Sequence, residues 1–116
     1  DRQDASPLLT GPDGYVTLLK RYYPEDQPNF VGFEGFINAR VLVEGLKRAG
    51  ADLTRNGFID AIESIHDLSL GLDINIAFSA SDHQGLDRVH FTRLESGQFS
   101  LIKDWAGIKA QLNAPR

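Results

Sequence analysis

Three helical patterns stand ahead of the first alternating run in this chain, and the hydrophobic period changes from about 3.6 residues to about 2 at "LDINIAFSA", residues 72–80. This order constrains the fold more than any other feature. Successive amphipathic helices need an apolar surface to cover, and the sequence supplies only three short strands after them.

The first helix is expected in "DGYVTLLKRYYP". Tyr15, Leu18, Leu19 and Tyr22 repeat at helical spacing as one buried stripe, and Pro24 ends the pattern. Residues 1–12, with two prolines and no lasting period, read as an extended lead-in ending in a turn. After the turn-rich connector "EDQPN" comes the strongest helical signal, in "FVGFEGFINARVLVEGLKRAGADLT". Ala39, Leu42, Val43, Leu46 and Ala49 form its continuous face, Arg40 precedes Glu44 by four residues, and Gly50 is a C-terminal stop. Thr54 is suited to cap a third helix, "RNGFIDAIESIH", with Phe58, Ala61, Ile62 and Ile65 on one side.

In the strand region Ile74, Ile76 and Phe78 alternate with Asn75, Ala77 and Ser79. "RVHFTRLE" and "QFSLI" form a hairpin over residues 88–102 around Ser96 and Gly97. If Glu95 faces Gln98, then Leu94 faces Phe99 and Phe91 faces Ile102.

Composition excludes several functions. A formal charge of −4 gives no basic field for phosphates, so nucleic acid is not expected as a partner. The absence of cysteine removes disulfides and thiolate chemistry. There is no methionine, and no basic and apolar leader at Asp1, so the chain is expected to be processed or part of a longer one. No apolar run reaches the length of a membrane span.

Two longer segments, "VLVEGLKRAGADLTRNGFIDAIES" and "FSASDHQGLDRVHFTRLESGQF", occur in an order and spacing that resemble the branched-chain amino-acid type of periplasmic solute-binding protein, the extracellular ligand-binding receptors of ABC transporters. The resemblance covers residues 14 to 103. It implies an α/β chain, the C-terminal fragment of a two-lobed type I fold, with three helices followed by three strands that include a terminal hairpin. Residues 1–66 would be helices of one lobe. Residues 67–116 would be crossover, strand and hairpin of the hinge and the other lobe. A small ligand would lie between the lobes, and most of both sheets would come from sequence not present here.

Several chemically suggestive residues admit plainer readings. Asp82 and His83 are adjacent, so they point apart and lack a third ligand at metal spacing; Ser81, Asp82 and Gly85 suit turn hydrogen bonds instead. His66 and Asp67 read as the end of the third helix, His90 as a side chain on a strand pleat, and Lys47, Arg48 and Arg55 as a solvated helix end. No phosphate loop or nucleophile elbow is present, so no catalytic residue, metal or cofactor is assigned.

"NFVGFEGF" places aromatics and glycines before a helix N-terminus, where the resemblance puts the cleft edge. Phe33 and Glu34 are the first ligand-contact candidates, with Tyr15 and Phe30 behind. Plain core packing is the competing reading of the phenylalanines. The expected function is non-catalytic capture of a small polar solute such as an amino acid, in the periplasm or secreted, for an ABC permease. The alternative is a periplasmic sensor domain of a signalling receptor. The isolated chain is expected to self-associate or to pair with a missing N-terminal part.

Overall fold

A computed structural model describes residues 6–114; the first five residues of the expected lead-in lie outside the described residues. The chain divides into two compact units between Leu86 and Asp87. The 66/67 boundary drawn above concerns lobes of a larger fold, whereas this division follows the chain's own packing.

In the first unit, residues expected to be extended instead form a short helix, α1 (Pro7–Thr10). The Ser6 hydroxyl caps it by accepting from the Leu8 amide, and Pro7 at the first helical position brings a preset φ and no amide to satisfy. Helix α2 (Tyr15–Tyr22) ends before Pro24 as its sequence requires, but the expected stripe is buried only at its start. Tyr15 is buried, Leu18 and Leu19 are half-buried, and Tyr22 is exposed.

Helix α3 (Phe30–Ala49) is capped by Asn29, whose Oδ1 accepts from the Gly32 amide at 2.8 Å, and it stops at Gly50, where φ is 79°. Its packing corrects the sequence reading. The face marked by Ala39, Leu42, Val43 and Leu46 is exposed, with Leu42 at 50%. The side turned inward carries the buried Gly45. A Cβ there would run into Ile62 and come within 2.9 Å of Phe58 Cε2, both on α4 (Arg55–Glu63). Close approach at a glycine brings more of the two backbones and their side chains into contact than bulky residues would allow, so the glycine face prevails over the leucine face.

The ion pair on this helix is Glu44 with Arg48, at 2.7 Å, rather than Glu44 with Arg40. An acid four residues before a base is the better orientation along a helix dipole. Arg48 also donates to the Ser64 carbonyl at 3.0 Å, which ties the ends of α3 and α4 together.

Helix α4 begins at Thr54, whose Oγ1 accepts from the Gly57 amide at 3.0 Å. Beyond it, Ile65 is 0% exposed, and its carbonyl accepts from the Phe78 amide at 2.7 Å. An unforeseen strand, β1 (Leu68–Gly71), pairs antiparallel with β2 (Ile74–Ile76), with Leu68 opposite Ile76. The two residues between them, Leu72 and Asp73, both have positive φ, as a tight hairpin turn demands. With leucine and aspartate instead of glycine or asparagine at the two central positions of that turn, the strand gave no sequence signal. The core of this unit consists of Leu8, Tyr15, Ala61, Ile65 and Ile76.

The second unit holds the expected hairpin, β3 (Thr92–Glu95) and β4 (Gln98–Leu101). Its register is the expected one, with Leu94 opposite Phe99 and Glu95 opposite Gln98, and the Ile102 amide donates to the Phe91 carbonyl at 2.8 Å. The strands are shorter than expected, since residues 88–91 are outside the ladder. A further helix, α5 (Trp105–Leu112), packs its Trp105 edge-on against Phe91 at 5.0 Å. The described residues thus form five helices and four strands in two two-stranded sheets, where three helices and three strands were expected. None of these helices is long and apolar enough to cross a membrane.

Candidate functional site

The aromatics of the "NFVGFEGF" stretch lie inside α3 rather than ahead of it, because Asn29 caps the helix one residue before Phe30. That places Phe33 and Phe36 one turn apart on the side that meets α2. Both rings pack against Tyr15, each at 5.7 Å between centroids and tilted by 45° and 40°. Such aromatic pairs contribute about 0.5–1.5 kcal/mol beyond the area they bury.

The Tyr15 hydroxyl completes the junction. It accepts from the Asn29 amide at 3.3 Å and donates to the Asn29 carbonyl at 3.5 Å. A side chain at Gly32 would strike that hydroxyl, so glycine is required for α3 to start this close to α2. The polar tip of a buried tyrosine is thereby satisfied, and the start of α3 is held against α2.

Between these helices the chain turns back on itself. The Asp26 amide donates to the Tyr23 carbonyl at 3.0 Å, with Pro24 and Glu25 at the corner. The Asn29 amide group donates to the Gln27 carbonyl at 3.2 Å. Tyr15, Leu19, Tyr23, Asp26, Gln27, Asn29 and Gly32 line an open groove of about 610 Å³. Its volume is comparable to that of small-molecule sites, but it lies open to solvent instead of enclosing a ligand.

Of the residues singled out from sequence, Tyr15 lines this groove and Phe33 supports it from behind. Phe30 and Glu34 are exposed on the first turns of α3 and do not line it. Asp26 and Asn29 were missed because "EDQPN" carries no period and reads only as a connector, and Tyr23 because it falls one residue past the Tyr15–Tyr22 stripe. The spacing of Asn29 from Gly32 was the available signal, since an N-cap accepts from the amide three residues on.

The histidines do not gather into a site. Asp82 sits in a turn: its Oδ1 accepts from the Gln84 amide at 2.9 Å, and its backbone pairs with that of Ser79. Gly85 completes the turn by accepting from the Ala77 amide at 3.3 Å, and a side chain there would come within 2.6 Å of the Phe78 ring. His83 Nε2 stands 2.9 Å from Glu63 Oε1 at the end of α4, an exposed link between turn and helix. His66 lies past the end of α4 rather than in its last turn, and His90 lies outside the hairpin ladder. Among the described residues no three His, Cys, Asp or Glu side chains come together to hold a metal.

Compared with known families, residues 8–98 match the model described as "Periplasmic binding protein", which is most of the chain. The chain therefore belongs to that family, as its two quoted segments indicated. No curated protein and no solved structure gives a significant match.

Proposed function

We propose that this member of the periplasmic binding protein family captures a small polar solute, an amino acid or a related carboxylate, without chemical change, and delivers it to an ABC importer. The observation that carries the reading is the groove at the α2–α3 junction, where an aromatic wall and a few polar groups meet at the start of a 20-residue helix. Tyr15 is the wall and Phe33 packs behind it, while Phe30 and Glu34 lie exposed on the first turns of α3 outside the groove. Family membership supports a location in the periplasm or outside the cell.

The test is titration calorimetry of the full gene product against a panel of amino acids. Phe33→Ala removes the ring behind Tyr15 and is expected to weaken binding by on the order of 2 kcal/mol, by analogy with buried aromatic anchors. His83→Ala, in the exposed turn, should leave affinity near that of the parent. Equal losses in the two variants would remove the groove from consideration as the solute site.

A further inference from the structure

We draw no further inference here: the strongest candidate, the exposed apolar groove between α3 and the start of α4 lined by Leu42, Leu46, Leu53 and Phe58, carries nothing because nothing in the structure shows what covers it.

Discussion

Two glycines of α3 show how a single residue settles which face of a helix is used. Nothing lies within 4 Å of a Cβ built on Gly35, while one built on Gly45 meets Ile62 and Phe58. Gly35→Ala should therefore stabilise the protein by about 0.5–1 kcal/mol through helix propensity alone. Gly45→Val adds bulk where α4 approaches most closely and should destabilise by about 2 kcal/mol, typical of overpacking. Thermal unfolding of the two variants checks this, and a shift of the same sign in both would contradict the α3–α4 packing. The same scale explains the turn around Asp82 and His83. The aspartate side chain is spent on the Gln84 amide, and the neighbouring imidazole reaches Glu63, so adjacent polar residues serve two separate structural contacts.

At the scale of elements, the β3–β4 hairpin was the feature most legible in the sequence, whereas α3 was legible as a helix but not in the face it packs. Ser96 and Gly97 have φ of 51° and 77°, the left-handed pair that a two-residue hairpin turn requires. A β-branched residue tolerates that conformation poorly, so Gly97→Val should weaken the hairpin by about 1–2 kcal/mol. Loss of the cross-strand NOE between Leu94 and Phe99 is the expected readout; an unaltered NOE pattern would mean that the turn does not set the register. The end of α3 could be read from its stop at Gly50, but neither its start at Asn29 nor its orientation could. A helix apolar on several sides carries no single direction of packing, and the leucine-rich side was the natural guess from counting. The groove beside it was hidden for a related reason. Asp26, Tyr23 and Tyr15 are brought together by a turn and a helix contact, neither of which leaves a periodic trace in the sequence.

For the whole molecule the question is what becomes of the apolar surface that each unit leaves uncovered. On α3 the Leu42, Val43 and Leu46 face is exposed, and on the hairpin Leu94 and Phe99 are each 62% exposed on the same side. Leaving such a side chain wet forgoes roughly 1.5–3 kcal/mol, a sizeable part of the 5–15 kcal/mol that typically separates folded from unfolded states. The chain on its own is therefore expected to self-associate, and light scattering should give a mass above that of the monomer. Leu42→Glu with Leu46→Glu should shift it back toward the monomer. A wild-type chain that stays monomeric at high concentration with a cooperative melt would refute this. The sequence by itself determined helices α2, α3 and α4, the cap at Thr54 and the stop at Gly50, the hairpin register and the family, because each is written in local spacing or in the order of segments. Tertiary structure alone decided which face of α3 meets α4, the β1–β2 pairing, and the meeting of Tyr15, Tyr23 and Asp26. Those depend on how closely backbones approach and on turns without a periodic trace, and a glycine or an exposed aspartate does not announce in sequence what it will stand against.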